Sequence, residues 1–347
     1  MTTIGLDLHK RECQLCIAHE DGHIEERRIV TRRDRFTAVL GDLPRARILL
    51  EASTESEWVA RHLESLGHDV IVADPNFAPM YAARYRRVKT DRRDAYTLME
   101  ACRLGAYRTS HRSSDARRHV RAQLAVREAL VRTRSRYTAI IKSLARRDGL
   151  RVVGSTAHLL EEKITALDPS PQLLEELQPL FALLLPLQAQ ITAADDRIAA
   201  LERTDPAVAL LMTAPGIGAV TASATVAVAD DITRFDSAHQ FEAFLGLVPG
   251  ELSSGDKRHI GHITKAGNPR VRYLLVEAAW RIMRSKQADT AALRAWALRI
   301  TNRRGKRIAV VALARRLAGI LYAMWRDHEP FDARRIRVPR PRVAERT

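Results

Sequence analysis

Four carboxylates in three separated segments carry the chemistry open to this chain: Asp7, Glu51, Asp91 and Asp94. Asp7 lies within the apolar run Ile4-Gly5-Leu6-Asp7-Leu8, and Glu51 ends Arg47-Ile48-Leu49-Leu50-Glu51. Asp91 and Asp94 open a helical pattern in Lys89-Thr90-Asp91-Arg92-Arg93-Asp94-Ala95, three apart and so on one helix face. An acid at the end of an apolar strand is costly to bury unless a cation or a reaction needs it. Gathered by a fold, the four would make an oxygen-rich cage for Mg²⁺ or Mn²⁺. Ions held there activate an attacking oxygen and stabilise a leaving one, which suits phosphodiester chemistry. Each acid alone also has a plainer reading, with Glu51 a surface acid at a strand end and Asp91 a helix cap.

A second candidate is the loop Ser253-Ser254-Gly255, with Lys257, Arg258 and Lys265 close by. A serine hydroxyl among cations could attack phosphorus and form a covalent phosphoserine. Serine–glycine loops are also ordinary turns, and the residues alone do not separate the two readings. His259 and His262 lack an acidic third partner and read as surface or phosphate contacts. Cys13 and Cys16 form a lone C-x-x-C; three apart on a strand, they face opposite sides, which argues against zinc or redox use.

The elements that must position these groups follow from hydrophobic spacing. Residues 3–10, 13–19 and 24–30 read as strands, with Asp21-Gly22 a turn. A helix through Phe36, Val39, Leu40 and Leu43 precedes strand 47–51. A helix with Trp58, Val59, His62, Leu63 and Leu66 at helical spacing, closed by Gly67, precedes strand 70–73. This order predicts an α/β layer with a hairpin meander at one edge and parallel crossovers at the other.

From about residue 115 the pattern turns helical. A strongly basic stretch, 112–151, has a thin apolar seam of Leu124, Leu130, Ile140, Ile141 and Leu144, and a second helix is read at 188–203. The pair fits either a coiled-coil hairpin, intermolecular or not, or a local helical subdomain. Asp205-Pro206 caps a further helix. Ala214-Pro215-Gly216-Ile217-Gly218 then reads as a helix-hairpin-helix turn offering amides to a phosphate, or as a plain helical turn. Helices are expected at 235–247, from Pro269 with Asn268 as cap, at 288–301 and at 306–328. The tail beyond Phe331 is basic and proline-containing.

The 347 residues carry a net charge of +16 and a pI near 10.4. Clustered arginines point to a nucleic-acid partner through counterion release, although a solvated arginine-rich surface has the same composition. No uninterrupted apolar run reaches membrane-spanning length and the N-terminus lacks a signal-peptide layout, so no membrane partner is expected. Three cysteines cannot form a secreted disulfide framework, so a cytoplasmic, nucleoid-associated protein is expected.

Taken together, Ile4-Gly5-Leu6-Asp7-Leu8-His9-Lys10, Leu50-Glu51-Ala52 and Lys89-Thr90-Asp91-Arg92-Arg93-Asp94-Ala95 resemble the three blocks of DEDD insertion-sequence transposases with a RuvC-like N-terminal domain. Ala214-Pro215-Gly216-Ile217-Gly218, Phe241-Glu242-Ala243-Phe244-Leu245-Gly246-Leu247-Val248-Pro249, Ser254-Gly255 and Ile263-Thr264-Lys265-Ala266-Gly267-Asn268 resemble that family's C-terminal transposase domain. One departure is Glu51-Ala52-Ser53-Thr54, where the family commonly has threonine-glycine after Glu-Ala.

The resemblance implies an α/β plus all-α chain. An RNase H-like (RuvC-like) domain at 1–112 would precede a helical coiled-coil region at 113–204. A C-terminal domain with the helix-hairpin-helix element and serine loop would follow at 205–332, and a basic tail at 333–347. It further implies that Asp7, Glu51, Asp91 and Asp94 bind Mg²⁺ and that Ser254 is the nucleophile. Donor and target DNA, a structured guide RNA, and a dimer or tetramer would be the partners. Arg117, Arg118, Arg121, Arg134, Lys142, Gly216, Gly218, Lys257, Arg258 and Lys265 are the candidate nucleic-acid contacts. The rival readings are a RuvC-like nuclease using water and a non-catalytic nucleic-acid-binding protein.

Overall fold

The computed structural model describes residues 1–81, 90–154, 156–251 and 260–336, and the chain divides into two units, Met1–Ser113 and Ser114–Thr347. The first unit holds β1 (Thr3–Leu8), β2 (Glu12–Ala18), β3 (Ile24–Val30), α1 (Arg33–Leu40), β4 (Arg47–Glu51), α2 (Ser56–Ser65), β5 (Asp69–Ala73) and α3 (Asp91–Leu104). Its five strands form one sheet in the order β3-β2-β1-β4-β5. β1, β2 and β3 are antiparallel neighbours, while β1, β4 and β5 run parallel. The meander and crossovers expected from the sequence are both present.

Side-chain alternation sorts the sheet into two faces. Ile4, Leu6, Leu15, Ile48 and Leu50 join Phe36 and Leu40 of α1 and Val59 and Leu63 of α2 in one core. On the opposite face Leu49 and Ala73 meet Leu98, Ala101 and Cys102 of α3, and Cys16 meets Ala95 and Met99. Cys13 packs in the first of these cores and Cys16 in the α3 layer, on opposite sides as the strand period requires. Burial pushes both thiols up to about 11, so they are neutral packing groups at physiological pH.

The second unit is dominated by helices. α4 (Asp115–Arg147) and α6 (Pro171–Ala199) pack against each other, with α5 (Leu160–Thr165) and a short 3-10 turn between them. Arg134 Nη1 donates to Gln188 Oε1 at 2.7 Å, Arg147 Nη2 reaches Glu176 Oε2 at 2.7 Å, and Arg127 pairs with Asp195. As the residue number rises along α4 it falls along α6, so the two form an antiparallel hairpin. Leu177, Leu184, Ile191 and Ile198 recur every seventh residue on the buried side of α6. Ile141 is fully buried, whereas Ile140, expected in the seam, is 37% exposed.

α6 begins at Pro171, well before the expected residue 188. Proline ordinarily breaks a helix interior, yet α6 passes through both Pro179 and Pro186. Each lacks an N–H for the carbonyl four residues earlier, Glu175 and Ala182, and all four residues are exposed, where water can satisfy the orphan groups. Leu173, Leu177, Phe181 and Leu184 meanwhile bury against Ile141, Ala145, Leu160 and Ile164.

The remaining elements are α7 (Leu201–Thr204), α8 (Pro206–Met212), α9 (Ala219–Ala229), α10 (Ala238–Phe244), the hairpin β6 (Pro249–Glu251) and β7 (Ile260–Ile263), α11 (Pro269–Arg284), α12 (Ala291–Arg304) and α13 (Lys306–Asp327). α10 is shorter than expected because Ser237 accepts from Gln240 N and starts the helix there. α9 and α13 run through one core with Phe241, Leu245, Leu275, Leu317 and Leu321. Residues 171–204 and 306–327 are long and apolar enough to cross a membrane by length and composition. In α13 this apolarity is spent on the core, since Leu313, Leu317 and Leu321 are fully buried there.

Candidate active site

Asp7 faces α3 because Leu6 and Leu8 alternate to the other side of β1. What brings α3 down onto that face is Gly5, which shares the face with Asp7. A Cβ at Gly5 would run into the Ala95 carbonyl oxygen and the Met99 amide nitrogen, so only glycine permits this approach of backbone to backbone. Thr90 caps α3, its side chain accepting from Arg93 N at 3.4 Å, and Gly105 ends the helix in the left-handed region. Asp91 and Asp94 therefore sit in the first turn, where the helix dipole favours negative charge.

The parallel register pairs Leu6 with Leu50, which sets the next residues, Asp7 and Glu51, at neighbouring strand ends. Glu51 accepts from Tyr81 Oη at 2.5 Å. Asp94 is buried, while Asp91 is 58% exposed. The Asp7 carboxyl is held above the ordinary aspartate value, first by burial and then by the charges of Asp94, Asp91 and Glu51, against a lowering pull from His9. Four acids from three segments thus share one electrostatic neighbourhood.

Asp7 Oδ2 is buried and receives no hydrogen bond. His9 Nε2 lies 3.2 Å from it and 3.6 Å from Asp91 Oδ1. Among the described residues, one ligand atom each from Asp7, His9 and Asp91 lie within 4.8 Å of one another, close enough to share one cation. A buried orphan oxygen beside further donors fits a divalent ion. His9 was absent from the sequence-level candidates. The spacing predicts a strand to residue 10, but β1 ends at Leu8, which leaves His9 just past its end.

Ser254, Lys257 and Arg258 lie outside the described residues, as do Ser253 and His259. The segments flanking them are joined tightly. β6 and β7 pair Pro249 with Ile263, Thr264 N donates to Val248 O at 2.9 Å, and Lys265 N donates to Gly246 O at 3.1 Å. Arg272 Nη1 donates to both Leu245 O and Gly267 O, at 2.9 and 3.2 Å. A Cβ at Gly267 would collide with the Phe244 carbonyl oxygen. Two sequence blocks that looked separate, 244–249 and 263–268, form one backbone-to-backbone frame.

The basic candidates are placed unequally. Arg117 pairs with Asp205, whose other oxygen caps α8 by accepting from Ala207 N at 3.1 Å. Arg118 Nη2 reaches Asp115 at 2.6 Å, and Arg134 holds Gln188 as described. Arg121 and Lys265 are exposed and Lys142 is partly exposed. Gly216 adopts φ +76°, with the Ala278 carbonyl 3.1 Å from where a Cβ would stand. Gly218 does not need to be glycine for the turn: its φ of −103° and ψ of 177° are extended and the space around it is open.

Family models match on both units. A transposase model of the IS110 DEDD type covers residues 4–147, and one described as the transposase IS116/IS110/IS902 family covers 208–294. A probable family 20 transposase of Pseudomonas aeruginosa is 32% identical over 93% of this chain and 96% of its own. The chain belongs to the IS110/IS116 family of DEDD transposases. The transposase for insertion sequence element IS1111A of Coxiella burnetii is 27% identical to it, over 94% of this chain and 90% of the relative. The corresponding enzyme of IS1328 from Yersinia enterocolitica is 28% identical over 93% and 96%. The transposase is accordingly a DNA-acting enzyme with a mixed α/β N-terminal unit and a helical C-terminal one.

Proposed function

We propose that this transposase cleaves and rejoins DNA with two sets of groups: Asp7, Glu51, Asp91 and Asp94, which hold Mg²⁺ or Mn²⁺, and Ser254, which attacks the scissile phosphodiester. The observation carrying this is the buried, unbonded Asp7 Oδ2 under the first turn of α3. A carboxylate there is costly without a cation, and Gly5 exists to bring its neighbours close. Bound ions would supply positive charge at the scissile phosphate.

In the proposed reaction the Ser254 Oγ–phosphorus bond forms as the phosphorus–O3′ bond breaks. The serine proton leaves to a base, and the released 3′ oxygen takes up a proton. A 5′-phosphoserine link and a free 3′-hydroxyl result, and attack by another 3′-hydroxyl restores the serine. The frame of residues 244–249 and 263–268 supports this role by fixing both ends of the serine segment.

We read the first unit as RNase H-like, of the RuvC type, with residues 1–112 catalytic, 113–204 a coiled-coil region, 205–332 the serine-bearing domain with a helix-hairpin-helix turn, and 333–347 a basic tail. Nucleic-acid contacts would come from α4 through Arg117, Arg118, Arg121, Arg134 and Lys142, and from Gly216, Gly218, Lys257, Arg258 and Lys265. The partners would be donor and target DNA, a structured RNA encoded by the element, and further copies of the chain in a dimer or tetramer. The protein would work in the cytoplasm on the nucleoid.

A suicide DNA substrate tests the chemistry. The wild-type chain should form a covalent protein–DNA adduct that Ser254→Ala abolishes, and Asp91→Asn should lose cleavage with DNA binding retained. Cleavage that survives Ser254→Ala would make water the nucleophile, and unchanged activity in Asp91→Asn would remove the acids from the reaction. Sequencing RNA that copurifies with the chain tests the guide.

A further inference from the structure

His9 stands just past the end of β1, where its backbone is fixed. Its carbonyl accepts from Thr31 Oγ1 at 2.8 Å, and Thr31 N donates to Arg11 O at 2.9 Å, so buried Thr31 ties the β1–β2 turn to the end of β3. The imidazole is thereby held beside the sheet edge with Nε2 3.2 Å from Asp7 Oδ2 and 3.6 Å from Asp91 Oδ1. A simple ion pair would aim an N–H at a carboxylate. Asp7 Oδ2 nevertheless receives no hydrogen bond. One ligand atom each of Asp7, His9 and Asp91 lie within 4.8 Å of one another. An octahedral ion with ligand bonds of about 2.1 Å sets adjacent donors roughly 3.0 Å apart, close to these separations.

We infer that His9 is itself a metal ligand, giving Nε2 of a neutral imidazole to the ion shared by Asp7 and Asp91. This rests on the metal-binding reading of the acids above. The consequence is selectivity. Mg²⁺ is hard and favours oxygen, whereas Mn²⁺ is similar in geometry and accepts imidazole nitrogen, so the mixed donor set favours Mn²⁺ over Mg²⁺.

The test is Mn²⁺ binding to the full-length chain, followed by the loss of the free-ion electron paramagnetic resonance signal, with Mg²⁺ as competitor. Pulsed measurements on the bound ion read directly coordinated ¹⁴N. The wild type should show that coupling. His9→Ala should lose it, and its Mn²⁺ affinity should fall about tenfold or more, since even indirect partners of metal ligands cost that much. Mg²⁺ affinity should change less, and His9→Gln, which offers an oxygen, should restore binding without the nitrogen coupling. No coordinated nitrogen in the wild type, or unchanged selectivity in His9→Ala, overturns the inference. Asp7→Asn separates it from the reading beneath it. If Asp7→Asn abolishes Mn²⁺ binding while His9→Ala changes nothing, only the His9 role is lost. If Asp7→Asn binds normally, the acid site itself is refuted. Thermal melting confirms that each variant is folded, as expected for a side chain 53% exposed.

Discussion

Gly5 in the N-terminal unit and Gly267 in the C-terminal unit solve the same problem in different settings. Each lets one stretch of backbone lie directly on another: β1 under α3 in the first case, and residues 264–268 under the end of α10 in the second. The first approach sets acids over a buried strand end. The second joins the two stretches that flank residues 252–259 in sequence. The difference is in what holds each frame. Gly5 sits in a sheet with apolar layers on both faces, whereas Gly267 relies on backbone hydrogen bonds and the two carbonyl contacts of Arg272. Close packing of backbone, more than side-chain contact, is what both candidate half-sites have in common.

Substituting the two glycines gives the sharpest break of this comparison. Gly5→Ala should cost about 1–3 kcal/mol by overpacking and also abolish Mn²⁺ binding, because α3 must lift away from Asp7. Gly267→Ala should cost a similar amount by the same mechanism yet leave Mn²⁺ binding intact while adduct formation fails. Urea unfolding beside metal titration reads both. Equal loss of metal binding in the two variants would contradict the separate roles.

A smaller effect concerns the electrostatic strain at Asp7. An acid whose value is raised by folding keeps its proton longer in the native state, so its ionisation favours unfolding. The penalty is absent below the ordinary aspartate value, grows as pH rises to the raised native value, and is full above it. Metal-free Asp7→Asn should therefore melt higher than the wild type at neutral pH, and the two should converge in acid. Melting curves in chelator across that range check the sign, and a destabilised variant at neutral pH would show that His9 outweighs burial.

The smallest effect separates the two glycines of the turn before α9. Gly216→Ala should destabilise by about 1 kcal/mol or more, since its φ is left-handed and the Ala278 carbonyl is close. Gly218→Ala should be neutral or stabilise by up to about 1 kcal/mol, because extended backbone and open space accept a methyl group. Urea midpoints of the two variants decide it.

Much of the N-terminal unit was legible because strand and helix periods are local and some of its turns, at Gly22, Gly67 and Pro75, carry Gly or Pro. The residues of β4 were readable from Arg47 to Glu51 without loss. Helix α6 is less so: the spacing predicts it only over 188–203, while the helix starts at Pro171 and carries Pro179 and Pro186 on an exposed side. The pairing of β6 with β7 was missed because both strands are short, and a three- or four-residue run has no resolvable period. His9 falls inside the strand that the spacing predicts over residues 3–10, and nothing in that spacing separates a ligand from a surface residue.

By itself the sequence determined the element order, the four acids and their placement at strand ends and a helix start, because those depend on neighbours within a few residues. The tertiary structure alone decided that Gly5 brings α3 onto Asp7, that Asp7 Oδ2 is left without a hydrogen bond, and that His9 lies between Asp7 and Asp91. Those facts depend on which surfaces meet, and contact between residues some ninety positions apart leaves no periodic trace in a single chain.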